Sequence, residues 1–280
     1  GSTFDNKDIV LIKKILKSKQ TLTRGRFVEK FENKLKKKIG CKYLLSTSSG
    51  SSALELSSLA LNLKKNDEVI VQSNCYWTAF SHLIKIGVKI ICCDIDNNLH
   101  INKNHLKNLI NNKTKAIYIF HHGGMLNDVN SLRKDLSIPK KILIVEDCAH
   151  CIGSKINNKH AGYNSDVACF SFSTLKNIST LGEGGAITTN SKKILKRLEK
   201  LKDSNCIADE KILKKSIINQ RKITKNSFFM PMGNNLKIKY NKIHSIGSNF
   251  RMSAVEAIVG LSQIDKLKIN NLRRNKIAKI

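Results

Sequence analysis

The amino-acid sequence predicts an α/β protein with a mostly parallel central sheet flanked by helices. Between residues 43 and 189, short apolar runs typical of strands alternate with stretches that have the apolar spacing of helices. Such alternation is characteristic of a parallel sheet buried on both faces. Polar clusters follow several of the apolar runs, and ligands of these sheets bind beyond the carboxyl ends of the strands. We therefore expect a functional site at that edge.

Two amphipathic helices precede the first strand, over Lys7 to Lys17 and Phe27 to Lys38, and Gly40 ends the second. The predicted strands after the serine-rich segment cover residues 68–71, 89–93, 116–120, 141–145, 167–172 and 186–189. The predicted helices between and before them cover residues 53–63, 78–86, 103–111 and 129–135. Residues 204–235 indicate a less regular segment, and 253–280 predict one or two further helices.

Length and composition limit the classes of protein to consider. With 280 residues and 41% hydrophobic side chains, the chain can bury one large core or two modest ones. No apolar run approaches the roughly 20 residues that a membrane-spanning helix needs. The N-terminus also lacks the pattern of a signal peptide. We therefore expect a cytoplasmic protein without membrane insertion.

The net charge of +29 raises the possibility of a nucleic-acid-binding protein. Its lysines, however, are spread over helix-like segments with apolar spacing, which favours a solvated basic surface. Aromatic residues make up only 6% of the chain, which also disfavours a nucleic-acid site. Binding that weakens steeply with salt would identify such a site. We expect no nucleic-acid partner.

Eight cysteines are scattered along the chain, several of them inside apolar runs where cysteine acts as a small hydrophobic residue. Cys148 and Cys151 have the spacing of a redox or zinc motif, but no second ligand pair follows at suitable spacing. A place on a helix after Asp147 is the simpler interpretation. We therefore expect no metal.

Lys176 is the most informative residue of the sequence. It follows a strand-like run that ends at Phe170, and the glycine-rich stretch 182–185 comes shortly after it. Asp147 ends another apolar run. A lysine between strand and turn, with a carboxylate at a neighbouring strand end, suits an aldehyde cofactor. The amine can form a Schiff base, and the carboxylate can keep a pyridine nitrogen protonated.

Other polar residues fit the same cofactor but also have simpler explanations. The segment 48–52 joins a strand to a helix and could bind a phosphate, or it could be a serine-rich helix cap. Ser171 could donate to that phosphate. Tyr76 could stack on a planar ring, or it could pack in the core or an interface. His150 could orient Asp147 or contact the cofactor, or it could be a satisfied histidine at a helix start.

In this order, the motifs resemble the DegT/DnrJ family of pyridoxal-phosphate-dependent nucleotide-sugar aminotransferases, which have the fold type I architecture. The resemblance runs from about Leu22 to about Ala278 and is most specific in the segment from Ser171 through Lys176 to the glycine turn. The other matching segments are residues 23–28, 49–54, 67–71, 94–96, 146–150 and 247–253.

The resemblance implies a role for each matching residue. Lys176 would be the Schiff-base lysine and proton carrier, Asp147 would pair with the pyridine nitrogen, and Tyr76 would stack on the ring. His150 would contact the cofactor, and Asn249 would reach the phosphate from the other subunit of a homodimer with shared active sites. The phosphate contacts within the chain would be Gly50, Ser51 and Ser171.

The implied reaction moves an amino group from glutamate or glutamine to a keto sugar on a nucleotide carrier, with pyridoxal 5'-phosphate as cofactor. This chemistry serves amino-sugar and polysaccharide biosynthesis, including that of lipopolysaccharide. Two alternatives stay open: a non-catalytic cofactor-binding or regulatory relative, and a relative that forms aminocyclitols or aminobenzoates. Some family members carry histidine in place of the lysine and dehydrate their substrate, and Lys176 argues against that branch.

The resemblance also predicts the domain organisation. Residues 1–250 would form the large pyridoxal-phosphate-binding α/β domain. Residues 251–280 would begin a C-terminal small domain that is largely missing, because family members continue for roughly another 100 residues. Two departures from the family pattern are Cys75, where threonine is usual, and the segment 121–124, which keeps the first histidine and the later glycine but differs between them.

Overall fold

A computed structural model describes residues 3–18, 21–23, 25–203 and 248–279. The less regular segment expected over residues 204–235 lies outside the described residues, as do Arg24 and Gly247 of the motifs above.

A seven-stranded sheet forms the centre of the described structure, in the order β1-β9-β8-β5-β4-β2-β3, and a two-stranded ribbon, β6-β7, lies apart from it. The strands are β1 Tyr43–Thr47, β2 Glu68–Gln72, β3 Lys89–Cys93, β4 Thr114–Phe120, β5 Leu143–Asp147, β6 Lys155–Ile156, β7 Lys159–His160, β8 Val167–Ser171 and β9 Gly185–Thr189. Strands β3, β2, β4, β5 and β8 pair in parallel, whereas β9 is antiparallel to both of its neighbours. The predicted α/β class with a mostly parallel sheet is confirmed.

Helices cover both faces of this sheet. They are α1 Asn6–Lys17, α2 Arg26–Ile39, α3 Gly50–Leu61, α4 Thr78–Ile86, α5 Lys103–Leu109, α6 Val129–Asp135, α7 Lys192–Lys202 and α8 Ala254–Ile277, with a short 3₁₀ turn over His122–Gly124. Helices α3, α4 and α7 pack on one apolar cluster against the sheet, and α2 and α8 pack on another. Helix α8 also contacts α1, and its N-terminus has a capping box in which Ser253 and Glu256 bond each other's backbone.

Two element boundaries differ from the expectation in ways that matter for the site. Helix α3 begins at Gly50 rather than Ala53, because Ser49 caps it by accepting the N–H of Ser52 at 3.0 Å. Strand β5 begins two residues later than expected, because Pro139 to Ile142 form a turn closed at 2.9 Å, and it ends two residues later, because Asp147 pairs with Phe120 of β4. The serine-rich segment therefore includes the helix N-terminus, and Asp147 is the last residue of a buried strand.

Among the described residues, none of the helices combines the length and the apolar composition that crossing a membrane requires. The cytoplasmic location expected from the sequence stays a prediction.

Candidate active site

A cavity of about 650 Å³ opens at the carboxyl ends of β2, β4, β5 and β8, next to the N-terminus of α3. This is the edge at which the sequence places its polar clusters. Seven of the predicted site residues line the cavity: Gly50, Ser51, Tyr76, Asp147, His150, Ser171 and Lys176. Asn249 does not line it; this residue is exposed and pairs with Asp203 in an isolated β-bridge.

One wall of the cavity is the first turn of α3. The first N–H groups of a helix have no acceptor within the helix, and together with the helix dipole they attract anions. Helix α3 approaches the end of β8 closely, since a Cβ atom on Gly50 would lie 2.7 Å from the Cβ of Ser171. The hydroxyls of Ser48 and Ser49 each lie 2.9 Å from that of Ser52. This wall is a suitable cradle for a phosphate group.

Asp147 supplies a carboxylate to the cavity from a buried position. Its Oδ1 accepts the N–H of Ala149 at 3.0 Å, and this is its one side-chain hydrogen bond to the described residues. Burial raises the pKa of Asp147, and the hydrogen bond from Ala149, with a smaller contribution from the Lys176 charge, partly offsets that effect. A cationic partner would stabilise the charged form of such a buried carboxylate, because the partner compensates for the lost hydration.

Lys176 lies in the loop that joins β8 to β9. Backbone hydrogen bonds tie this loop together, from Phe172 N–H to the Gly184 carbonyl at 2.7 Å and from Lys176 N–H to the Ser173 carbonyl at 3.0 Å. Gly184 has a φ of 158°, which side chains rarely tolerate. The half-buried Lys176 contributes electrostatically to the pKa of both Asp147 and His150. Lys176, Asp147 and His150 therefore face the same cavity.

His150 lies in a turn, so the expectation of a helix after Asp147 is wrong. The N–H of Cys148 donates to the Cys169 carbonyl at 2.7 Å, which ties the chain to β8, and Gly153 has a φ of 94°. His150 Nδ1 accepts the N–H of Gly123 at 3.3 Å, so in neutral His150 the proton lies on Nε2. Burial lowers the pKa of His150, with smaller contributions from Lys176 and His122. This shift favours the neutral ring near pH 7.

Exposed aromatic side chains lie at the rim of the cavity: Tyr76 lines it, and Trp77 follows Tyr76 directly in the chain. Their rings lie 5.9 Å apart, and 62% of Tyr76 and 57% of Trp77 are exposed. Leu175, next to the lysine, is 88% exposed. Exposed aromatic and aliphatic side chains beside a polar cavity are available to stack on a ligand or to contact another chain.

Other residues line the cavity without having been assigned a role from the sequence. His122 follows the end of β4, and its ring lies 6.2 Å from that of His150. The signal that could have identified it is its place two residues after the end of a parallel strand. The remaining unassigned polar or aromatic members are Asn74, Thr78, Phe120, Phe170, Ser173 and Glu183.

A cluster of potential metal ligands lies beside the cavity. His121, Cys148 and Cys151 are buried, with ligand atoms within 4.8 Å of one another. The sequence did not reveal this cluster, because His121 follows β4 whereas the two cysteines follow β5. His121 Nε2 lies 2.7 Å from Glu146 Oε2, and Nδ1 accepts the N–H of Asn127 at 3.1 Å. Because both ring nitrogens of His121 are hydrogen-bonded, binding a metal would break one of these buried bonds. The expected absence of a metal stays a prediction.

Comparisons with known proteins agree with the geometry. The model of the DegT/DnrJ/EryC1/StrS aminotransferase family matches residues 3–280. GDP-perosamine synthase of Escherichia coli O157:H7 is 29% identical over 280 residues, which cover 99% of this chain and 68% of that protein. GDP-perosamine synthase of Vibrio cholerae is 33% identical over 190 residues, or 68% of this chain and 51% of that protein. The chain thus spans about half to two thirds of the length of these curated relatives.

Solved structures share the fold over nearly the whole chain. GDP-4-keto-6-deoxymannose-3-dehydratase with a trapped PLP-glutamate geminal diamine is 28% identical with a TM-score of 0.80, covering 96% of this chain and 67% of that one. Helicobacter pylori PseC, an aminotransferase of pseudoaminic acid biosynthesis, is 27% identical with a TM-score of 0.76, covering 96% and 65%. With the family model matching almost every residue, the chain belongs to the DegT/DnrJ/EryC1/StrS aminotransferase family.

Proposed function

We propose that this chain binds pyridoxal 5'-phosphate in the cavity and is the cofactor-binding part of an aminotransferase acting on nucleotide-linked keto sugars. The observation that carries the proposal is the position of Lys176 and buried Asp147 on one cavity, with the N-terminus of α3 as its wall. An amine, a carboxylate and a phosphate cradle are the three groups that this cofactor needs.

The residues fit the cofactor by their chemistry. Gly50 and Ser51, with Ser171, would hold the phosphate, because the helix N-terminus favours an anion. The Asp147 carboxylate would hold a proton on the pyridine nitrogen, and a cation at that point would offset the burial that raises the pKa of Asp147. Tyr76 would cover one face of the ring.

When bound, pyridoxal phosphate supplies an electron-withdrawing ring that acidifies the α-carbon of an amino donor. Lys176 would take the proton from that carbon and return it, acting as base and then as acid. Neutral His150 would donate its Nε2–H to the cofactor and help to orient the ring. We propose glutamate or glutamine as the donor.

The relatives support the choice of acceptor. The matched curated proteins include GDP-perosamine synthases and a UDP-4-amino-4,6-dideoxy-N-acetyl-beta-L-altrosamine transaminase from Campylobacter jejuni, 29% identical over 280 residues. GDP-4-keto-6-deoxy-D-mannose 3-dehydratase of Escherichia coli O55:H7 is 34% identical over 201 residues, so dehydration is the second candidate reaction. The lysine at position 176 favours amino transfer, because the dehydrating branch described above carries histidine there.

An absorbance titration tests cofactor binding. Added pyridoxal phosphate should give the protein a visible band, and Lys176→Ala should abolish this band. The matched control is Lys107→Ala on α5, an exposed lysine away from the cavity, which should keep the band. A wild-type protein without a band after incubation with the cofactor would refute the proposal.

The amino-transfer step needs its own assay. Glutamate or glutamine should bleach the band and release the corresponding oxo acid, and a nucleotide-linked keto sugar should then restore the band. A non-catalytic relative would bind the cofactor but show no bleaching. A dehydratase would consume the keto sugar without giving an amino sugar.

We also propose that the active site is shared across a homodimer. The support is that Asn249, which matches a phosphate-binding residue of the family, does not line the cavity of its own chain, while apolar side chains at the rim are exposed. Mixing Lys176→Ala with Asn249→Ala, each inactive alone, should restore cofactor binding and transfer at one of the two sites of a mixed dimer. A monomer by light scattering, or no recovery from the mixture, would contradict this arrangement.

A further inference from the structure

A chain of buried polar side chains runs beneath the floor of the cavity. Glu146 Oε2 accepts the Nε2–H of His121 at 2.7 Å and the N–H of Gly162 at 3.1 Å. His121 Nδ1 accepts the N–H of Asn127 at 3.1 Å. The Asn127 amide then donates to the Phe120 carbonyl at 3.0 Å. Glu146 and His121 are almost completely buried.

The hydrogen bonds determine the protonation of the histidine. A nitrogen that accepts a backbone N–H carries no proton, so the His121 proton lies on Nε2. The Glu146 carboxylate accepts that proton's hydrogen bond. The Nε2–H tautomer of His121, donating to Glu146, is therefore the consistent assignment.

The chain continues to a third strand end. Gln72 Oε1 accepts the N–H of Phe120 at 3.2 Å and lies 3.5 Å from the Asn127 amide nitrogen. The Gln72 amide donates to Asn74 Oδ1 at 2.7 Å. Gln72 ends β2, Phe120 ends β4 and Glu146 lies next to the end of β5, and these three strands are neighbours in the sheet.

A residue at or just after each of these strand ends lines the cavity. Asp147 follows Glu146, and its carbonyl accepts the N–H of His121 at 3.4 Å. Phe120 and Asn74 line the cavity directly. An imidazole that is held at both nitrogens transmits the position of one strand end to the next, because neither ring atom can shift without losing a buried hydrogen bond.

We propose that Glu146 and His121 are positioning residues for the cofactor: Glu146 orients the His121 ring, and His121 holds the ends of β2, β4 and β5 so that Asp147 faces the pyridine nitrogen. This inference rests on the proposed function. Neither residue lines the cavity, so both act through the residues that do.

Substitutions at Glu146 separate the hydrogen bond from the charge. In Glu146→Gln, the amide oxygen can accept both donors that bond Oε2, and the amide nitrogen can donate to the nearby Ser165 hydroxyl. In Glu146→Leu, no acceptor is left. Glu68→Gln is the matched control, because Glu68 is also buried and bonded but lies at the opposite end of β2.

Three measurements are made on each variant: nitrogen-15 NMR of labelled histidines in the cofactor-free protein, affinity for pyridoxal phosphate, and amino transfer. The His121 signals are those that disappear in His121→Asn. Wild type and Glu146→Gln should show the Nε2–H tautomer and bind the cofactor within a few-fold of each other. Glu146→Leu should change the His121 signals, weaken cofactor affinity by about 10-fold and lower kcat by about 100-fold. Glu68→Gln should resemble the wild type.

Should Glu146→Leu fail to fold, His121→Gln replaces it. Its amide keeps a donor for Glu146 but loses the acceptor for Asn127, and the same loss of affinity and kcat is expected. Two outcomes would overturn the positioning role alone. In one, Glu146→Gln is as impaired as Glu146→Leu; in the other, the His121 signal changes while affinity and kcat do not. A wild-type protein that does not bind the cofactor would overturn the proposed function and this role with it.

Discussion

Gly50, at the start of α3, packs so closely on Ser171, at the end of β8, that a Cβ on Gly50 would lie 2.7 Å from the Ser171 Cβ. The neighbouring Ser171 Oγ and Cα would lie within 3.1 and 3.2 Å of it. Real Cβ atoms do not approach this closely, so this point of the fold requires glycine. The contact joins the phosphate-cradle end of the cavity to the strand that leads to Lys176.

Gly50→Ala should therefore weaken cofactor binding and destabilise the protein by about 1–3 kcal/mol, the usual effect of overpacking. The measurements are an absorbance titration with pyridoxal phosphate and urea denaturation. Ser171→Gly removes the Cβ that the new methyl group would meet, so the double variant should recover part of the lost stability. Additive losses in the double variant would contradict the steric explanation.

Asp147→Asn should leave the cofactor bound but lower amino transfer by about 100-fold or more, because a neutral amide does not hold the proton on the pyridine nitrogen. The amide oxygen can still accept the N–H of Ala149, so the turn after β5 should keep its geometry. Steady-state kcat and the absorbance band report the two effects. Asp94→Asn, an exposed carboxylate after β3, is the control. Equal activity of the two variants would exclude Asp147 from the mechanism.

Gly260 packs α8 against α2. A Cβ at this position would lie 2.5 and 2.8 Å from two ring carbons of the fully buried Phe31. Replacing a helical glycine with alanine normally stabilises a helix by about 1 kcal/mol, but overpacking costs about 1–3 kcal/mol. Gly260→Ala should therefore have a net destabilising effect in urea denaturation. In a Phe31→Leu background, the same substitution should be less destabilising, with Thr180 Cγ2 at 2.9 Å as the remaining close contact; an equal loss in both backgrounds would argue against the ring contact.

His82 should make stability depend on pH. Burial lowers the pKa of His82 from 6.5 to about 4 in the folded protein. Between these two values the unfolded chain binds a proton that the folded protein does not, so the contribution of neutral His82 is complete above pH 6.5 and is lost as the pH falls toward about 4.

Urea denaturation of the wild type and of His82→Leu across this range checks the prediction. The difference between their unfolding free energies should change by at most about 1.4 kcal/mol per pH unit. The wild type should lose stability more steeply as the pH falls. Parallel curves for the two proteins would show that the ring titrates normally in the folded state.

Much of the fold was predictable because its signals are local. Helices α4 and α6 have the expected bounds, and Lys176 stood out because a strand and a glycine turn flank it. The predictions failed where a distant partner decides the local structure. The turn at Cys148 forms because its N–H bonds Cys169 on the neighbouring strand, and no periodicity in the segment records that bond.

By itself, the sequence determined the α/β class, the family, and which residues at the strand ends carry reactive groups, since each depends on neighbours along the chain. Only the tertiary structure decided that Lys176 and Asp147 share a cavity and that Glu146 holds His121. Strand order creates those contacts, and strand order depends on how buried faces pack across the whole sheet.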